Sequence, residues 1–206
     1  MWLDGAIYEG FWSNGKANGW GRLIHCDGDL YEGEWLNNMK QGKGRYWNTS
    51  GAEYIGDWKK DKQHGFGQEK WPNGISYAGH YNLGVKKGFG TLHLDDNSYY
   101  KGEFKENQFH GRGVHLFPDG KQYIGEWKYG EMDGYGKFVC PGVSSYIGNF
   151  KLSQMNGRGK IDWVDGSSYN GNWLDGKENG IGWYASRKGE NPRKGEWRDG
   201  IVARWF

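Results

Sequence analysis

Tyr31-Glu32-Gly33-Glu34-Trp35, followed by a Gly-x-Gly pair at Gly42 and Gly44, decides the fold, because this pattern returns every 23 residues. Internal periods of 20 to 50 residues are typical of repeat architectures. The glycine two residues after each tyrosine, the aromatic residue four after it and the Gly-x-Gly pair recur in all eight registers. The recurring tyrosines are Tyr8, Tyr31, Tyr54, Tyr77, Tyr100, Tyr123, Tyr146 and Tyr169.

Each unit is predicted to be one β-hairpin. Tyr-x-Gly-x-aromatic alternates with period two, so the tyrosine, the glycine and the second ring share one face of a strand. The other face is mostly polar, with Glu32 and Glu34 as examples. A glycine between two rings indicates that a ring packs over bare backbone. Asn14-Gly15 and Asp27-Gly28 are hairpin turn sequences, and the Gly-x-Gly pair is interpreted as the opening of the second strand.

Composition narrows the class of protein. Glycine supplies 38 of 206 residues and aromatic residues 17%, while the formal net charge is only +2. Disordered chains are poor in aromatic residues, so this chain is expected to fold on rings. Mean hydropathy is −0.97, and no run of apolar residues is long enough for a transmembrane helix. The first five residues do not resemble a signal peptide. The balanced charge argues against nucleic-acid binding, and two cysteines favour a reducing, intracellular compartment.

The predicted fold is all-β: an elongated, solenoid-like, twisted antiparallel sheet of stacked hairpins. Residues 1–206 are expected to form a single array, with repeats starting at 8, 31, 54, 77, 100, 123, 146 and 169. A partial repeat begins at about residue 193 and ends in an apolar cap, residues 201–206. Leu3-Asp4-Gly5 resembles the tail of a preceding repeat.

The motif resembles the MORN (membrane occupation and recognition nexus) repeat. Tyr31-Glu32-Gly33-Glu34-Trp35, His64-Gly65-Phe66-Gly67 and Pro118-Asp119-Gly120 carry the resemblance, which covers nearly the whole chain. It implies a groove of stacked hairpins with no catalytic activity. MORN arrays occur in membrane tethers, phosphatidylinositol-phosphate kinases, radial-spoke heads and other ciliary proteins, and cytoskeletal scaffolds. Some dimerise, and some hold a partner helix in the groove.

An aromatic groove is the first candidate site. A single sheet lacks a second layer to cover its apolar face, and exposed apolar patches mark binding sites. Tyrosine and tryptophan are common interface anchors. A helix or an extended peptide is the natural ligand. The competing interpretation is that these rings are simply core. The groove residues are Tyr8, Trp12, Tyr31, Trp35, Tyr54, Trp58, Tyr77, Tyr81, Tyr123, Trp127, Tyr169 and Trp173.

Lysines on neighbouring hairpins are the second candidate, as contacts for anionic lipid head groups. They are Lys59, Lys60, Lys62, Lys86 and Lys87. The alternative is that these lysines simply lie in ordinary solvated loops. No metal site is predicted, because the histidines and cysteines lack zinc-ligand spacing, although a dimer could assemble a shared site. No catalytic motif and no cofactor are predicted, since every Gly-x-Gly falls within a hairpin.

The function expected from this sequence is a non-catalytic scaffold. It is expected to bind protein partners, as a subunit of a larger complex, in a cytoplasmic cytoskeletal or ciliary assembly such as a radial spoke of the axoneme. The alternatives are a tether or regulatory module for phosphoinositides or anionic membranes, and a regulatory array once attached to an enzyme. A homodimer is left open.

Overall fold

The computed structural model describes residues 5–206, so the expectation for Leu3 and Asp4 lies outside the described residues. The chain divides into two compact units, one ending at Gln108 and one spanning Phe109–Phe206. The described residues contain strands and turns but no helix, and so no helix that crosses a membrane. In the N-terminal unit the strands are β1 (Ile7–Ser13), β2 (Lys16–Ile24), β3 (Leu30–Leu36), β4 (Met39–Trp47), β5 (Glu53–Lys59), β6 (Lys62–Lys70), β7 (Ser76–Asn82), β8 (Val85–His93) and β9 (Tyr99–Lys105).

The C-terminal unit repeats the same plan. Each strand pairs antiparallel with the next one in sequence, which confirms the predicted all-β stack of hairpins. The final strand pairs with β17, so the apolar chain end continues the sheet. The strands of the C-terminal unit are β10 (Gln108–Leu116), β11 (Gln122–Lys128), β12 (Glu131–Cys140), β13 (Ser144–Lys151), β14 (Gln154–Trp163), β15 (Ser168–Leu174), β16 (Lys177–Ala185), β17 (Arg193–Arg198) and β18 (Ile201–Trp205).

A two-residue turn joins the two strands of every repeat. Asn14 and Gly15 have φ angles of 50° and 68°, the pair of positive values that a type I′ turn requires. The same geometry recurs at Lys60 and Asp61, with φ of 50° and 64°. Hydrogen bonds to the preceding repeat hold this turn: the Lys40 N–H donates to Asp61 Oδ1 at 2.8 Å, and the Asp61 N–H donates to the Lys40 carbonyl at 3.1 Å.

A β-bulge lies inside the hairpin of β3 and β4 and changes the interpretation of the Gly-x-Gly pair. Strand β4 already begins at Met39, so Gly42 and Gly44 sit within the strand rather than opening it. The register with β3 shifts between Gly33 and Trp35, and Gly42 has a φ of 64°. The Glu34 carboxylate covers Gly42 and accepts a hydrogen bond from the Lys43 N–H at 2.9 Å. The first glycine of the pair therefore bends the strand, because its backbone adopts a conformation that favours glycine.

The second glycine of the pair has a different role. Gly44 faces Gly33 in the register of β3 and β4, and the Tyr31 ring lies over both. A Cβ at Gly44 would lie 2.6 Å from Cζ of Tyr31, well inside van der Waals contact. The Tyr31 hydroxyl donates to the Glu34 carbonyl at 3.0 Å, which holds the ring flat on this bare backbone. The predicted packing of a ring over glycine is therefore present.

Candidate functional site

The rings form a ladder on one face of the hairpins, called here the ring face. Tyr31 contacts Trp35 of its own repeat and Trp58 of the next, with ring centroids 5.2 and 5.1 Å apart and interplanar angles of 88° and 81°. Such edge-to-face pairs contribute roughly 0.5–1.5 kcal/mol beyond area burial. The Trp58 Nε1–H donates to the Gly44 carbonyl at 3.1 Å, so this rung is also tied to the preceding repeat.

Burial corrects the expectation of an open aromatic groove. Of the twelve predicted groove residues, Trp12 alone is exposed, at 53%; every other side chain in the set is at most 8% exposed. Buried rings offer almost no area to a partner, so the ladder is the core of each unit. The buried members are Tyr8, Trp35, Tyr31, Tyr54, Trp58, Tyr77, Tyr81, Tyr123, Trp127, Tyr169 and Trp173.

The ladder tyrosines remain protonated across the physiological pH range. Burial raises the pKa of Tyr169 to about 12, because the phenolate loses its hydration inside the stack. The pKa values of Tyr31, Tyr54 and Tyr123 are also raised by burial. These hydroxyls therefore act as fixed hydrogen-bond donors and not as acid–base groups at neutral pH.

Two lysines line the ring face of the N-terminal unit. The Lys40 Nζ lies 5.0 Å from the Tyr31 and Tyr46 ring centroids, and burial lowers its pKa. The equivalent Lys86 Nζ lies 3.3 Å from a Glu69 carboxylate oxygen and 5.2 Å from the ring of Trp71. Cation–π contacts of this kind favour the charged ammonium. A cavity of about 530 Å³ opens beside Lys40 and is lined by Asp29, Tyr46, Trp58 and Asp61 among others.

Apolar side chains occupy several of the equivalent positions in the C-terminal unit, whereas Glu178 faces Trp173 in the repeat that starts at Tyr169. Met132 faces Trp127 across β11 and β12, and Met155 faces Phe150 across β13 and β14. The side chains of Phe109, Met132 and Met155 are all half-buried. The sequence prediction missed them, although all three fall nine residues after a repeat tyrosine, at the position that Lys40 and Lys86 occupy in the other unit.

The predicted lysine cluster is divided in the structure. Lys59, Lys60 and Lys62 are exposed at the turn between β5 and β6, and Lys87 is exposed on β8. The side chain of Lys86 is only 18% exposed and is ion-paired with Glu69 on the ring face. Lys86 therefore leaves the set of candidate head-group contacts.

Within residues 5–206, no group of three or more His, Cys, Asp or Glu side chains is arranged to hold a metal ion. Cys26 and Cys140 are free thiols.

Comparison with known proteins identifies the repeat. A family profile described as MORN repeat matches residues 8–30, 31–53, 54–76, 77–99, 100–122, 123–142, 146–168 and 169–190. No curated protein sequence matches the chain.

Solved structures share the fold at low sequence identity. The TCP10 domain of CPAP from Danio rerio is 11% identical, with a TM-score of 0.51, over 100% of this chain and 96% of that one. The TCP domain of SAS-4 from Drosophila melanogaster, in complex with a proline-rich motif of Ana2, is 16% identical, with a TM-score of 0.39 over 65% and 73%. The TCP10c domain of Sas-4 from the same fly is 14% identical, with a TM-score of 0.39 over 73% and 89%. The first likeness shows the fold alone, and the two from the fly support no inference about this chain.

Proposed function

Because the chain belongs to the MORN repeat family, we propose that it is a non-catalytic scaffold whose ring face binds a helix or extended segment of a partner protein. The observation that carries this proposal is the half-buried apolar row of Phe109, Met132 and Met155 above the ladder of the C-terminal unit. Methionine side chains adapt to irregular apolar partners and recur at surfaces that bind helices.

The ladder supports such a row without taking part in it. Each methionine stands opposite a buried ring, Met132 against Trp127 and Met155 against Phe150, so the floor beneath it is rigid. A rigid floor with adaptable side chains above it lowers the cost of ordering the bound surface. The partner segment is therefore expected to be apolar on the side that meets these methionines.

Variants on the two faces of the C-terminal unit test the proposal. Met132→Asp with Met155→Asp places two carboxylates on the ring face, and Asn149→Asp with Asn172→Asp places two on the opposite face. Partners recovered by affinity purification from native material are identified and quantified by mass spectrometry. Loss of a partner with the methionine variant and its retention with the asparagine variant supports the proposal. Equal recovery with both variants contradicts it, provided circular dichroism shows both folded.

The setting of the scaffold is a separate proposal, which rests on where other MORN arrays occur. We place it in the cytoplasm of a eukaryotic cell, in a cytoskeletal or ciliary assembly such as an axonemal radial spoke. Co-localisation of the tagged protein with axonemal markers, and its co-extraction with spoke subunits, test this placement. Multi-angle light scattering of the purified chain tests whether it forms a homodimer.

Binding to an anionic membrane is the second candidate function. Lys59, Lys60 and Lys62 are exposed within one hairpin, and each cation near an anionic surface contributes roughly 1 kcal/mol. Flotation with phosphatidylserine vesicles compares the wild type with the variant that replaces all three by glutamate. Flotation that the replacement abolishes supports a membrane role, and an absence of flotation at low salt rejects it.

A further inference from the structure

A row of exposed residues crosses the face opposite the ring ladder in the C-terminal unit. The strand registers place these residues directly opposite one another on six successive strands, β12 to β17. All of them are exposed, including Ile147 at 42% and Trp183 at 47%. This row, called here the lysine strip, consists of Lys137, Ile147, Lys160, Asn170, Trp183 and Lys194.

The charge of the strip is not balanced within its own row. In the N-terminal unit, the equivalent row opens as Glu9, Arg22, Glu32 and Arg45, so each cation faces a carboxylate across the strands. The lysine strip contains no carboxylate. Asp162, beside the strip, lies 2.7 Å from the Lys160 ammonium, and both side chains of this pair are about half exposed, at 52% and 45%. Exposed pairs of this kind are weak, so Lys160 stays available to a stronger ligand.

The spacing of the strip selects the shape of its ligand. Lys137 and Lys160 stand two strands apart, about 9.6 Å at the usual strand separation. Residues seven apart on a helix are separated by about 10.5 Å along its axis, whereas alternate residues of an extended strand are separated by about 6.7 Å. A helix lying across the strands thus matches the two lysines, and its residues three or four positions after the first acid meet Ile147.

One end of the strip opens into a cleft. A cavity of about 590 Å³ is lined by Lys160, Asn170, Trp183 and Lys188 among others, together with Asp162 and an Arg187–Glu190 ion pair. The half-exposed Trp183 ring at its edge supplies an apolar wall, and Lys188 adds a further cation. A ligand that follows the strip therefore passes a concave site where Trp183 offers an apolar wall and where Lys160 and Lys188 offer cations.

We propose that the lysine strip is a second docking surface, separate from the ring face, for an acidic amphipathic helix of a partner protein. The helix presents carboxylates seven residues apart to Lys137 and Lys160 and an aliphatic residue between them to Ile147. A further apolar residue meets Trp183 at the cleft. The face around the strip also carries Asp162 and Glu196, which repel an anionic membrane lying flat on the whole face but stand beside the path of a single helix.

A designed peptide tests the proposal directly. The probe is a helical peptide of about 18 residues, with glutamates seven apart, leucines three and four residues after each glutamate, and alanine and glutamine elsewhere. Its control has the same composition with the glutamates five residues apart. Isothermal titration calorimetry at low and at physiological salt is expected to show tighter binding of the seven-residue peptide and weakening by salt.

Protein variants locate the site. Lys137→Glu with Lys160→Glu is expected to weaken binding at least about tenfold, since it replaces two attractions by two repulsions. Lys16→Glu with Lys70→Glu makes the same change of charge at exposed lysines away from the strip and is expected to leave binding unchanged. A third experiment measures the binding of the protein and its variants to phosphatidylserine vesicles.

Three results overturn the proposal: no binding of the peptide, equal binding of the two peptides, or equal effects of the two lysine pairs. Binding of vesicles that the Lys137 and Lys160 variant abolishes, without binding of peptide, assigns the strip to a membrane instead. The ring-face proposal depends on Met132 and Met155, so its failure and the failure of this one are seen in different variants.

Discussion

Adding a single methyl group at Gly136 tests the packing that defines the fold. A Cβ built there would lie 2.6 Å from Cζ of Tyr123, about 1 Å inside normal contact. The ring cannot retreat easily, because Tyr123 is 0% exposed and its centroid lies 5.0 Å from those of both Trp127 and Phe150. Gly136 does not have a positive φ, so alanine there suffers from the clash and not from backbone strain.

The expected cost follows from these contacts. Overpacking costs about 1–3 kcal/mol, and weakening the Tyr123 hydroxyl bond to the Glu126 carbonyl, now 3.0 Å, costs about 0.5–1.5 kcal/mol more. The reduced entropy of the unfolded chain returns about 0.4–1 kcal/mol. Gly136→Ala is therefore expected to lower the free energy of unfolding by about 2–3 kcal/mol.

A double-mutant cycle separates the clash from other effects. Tyr123→Ala alone should cost about 3–5 kcal/mol, and adding Gly136→Ala to it should cost almost nothing, because the obstructing ring is gone. Gly120→Ala is the matched control: its φ is 80° and nothing lies within 4 Å of its Cβ position, so its cost should not depend on residue 123. Urea denaturation followed by circular dichroism measures each stability, and hydrogen exchange shows whether the loss lies in β11 to β13. Additive costs in the double variant would refute the ring-on-glycine packing.

Three further perturbations have defined outcomes. Leu152→Asn should stabilise the protein by about 0.5–1 kcal/mol in urea denaturation, because Leu152 is 67% exposed and has a φ of 48°, which asparagine tolerates better. Leu174→Asn, at a 48% exposed strand position without a positive φ, should bring no gain. Trp173→Phe should lower the free energy of unfolding by at least about 1 kcal/mol, because it removes the 3.1 Å hydrogen bond from the indole N–H to the Gly159 carbonyl. The control Trp183→Phe, at an exposed site, should change stability little. Stability should fall as pH rises above about 10: the folded pKa of Tyr169, about 12, exceeds the unfolded value, so the native state binds more protons in that window. The urea midpoint should therefore decline between pH 10 and 12, and the buried ladder tyrosines should add their tyrosinate absorbance as the chain unfolds. A midpoint independent of pH would contradict the burial of the ladder.

The sequence predicted the fold well because its information is local and repeated. The period of 23 residues, the alternation in Tyr31-Glu32-Gly33-Glu34-Trp35 and the turn at Asn14-Gly15 each specify a hairpin within a few residues. The structure confirms the strands and the two-residue turns. The bulge at Gly42 was missed, because a pair of glycines does not reveal which member bends the strand and which one lies under a ring.

The exposed surface was harder to predict than the fold. A tyrosine every 23 residues is compatible with a bare groove or with a packed core, and periodicity does not separate the two. The flat packing of Tyr31 on Gly44 decides the question, because a ring that lies on the backbone is covered by the sheet itself and by the rings of adjacent repeats. A single sheet then needs no second layer to bury its aromatic residues.

The same geometry divides the repeat into positions that are fixed by packing and positions that are free to vary. Gly44 cannot change without moving Tyr31, whereas the position nine residues after the tyrosine holds lysine at Lys40 and Lys86 and methionine at Met132. Even equal residues there differ in setting. The Lys86 ammonium lies 3.3 Å from a carboxylate oxygen of Glu69. Beside Lys40, the position equivalent to Glu69 is occupied by Leu23, so the two ammonium groups have different electrostatic surroundings. If the ring face binds a partner as we propose, these variable positions, rather than the ladder itself, determine which partner it accepts. A substitution at Met132 is then expected to change binding, and one at Gly44 to change folding.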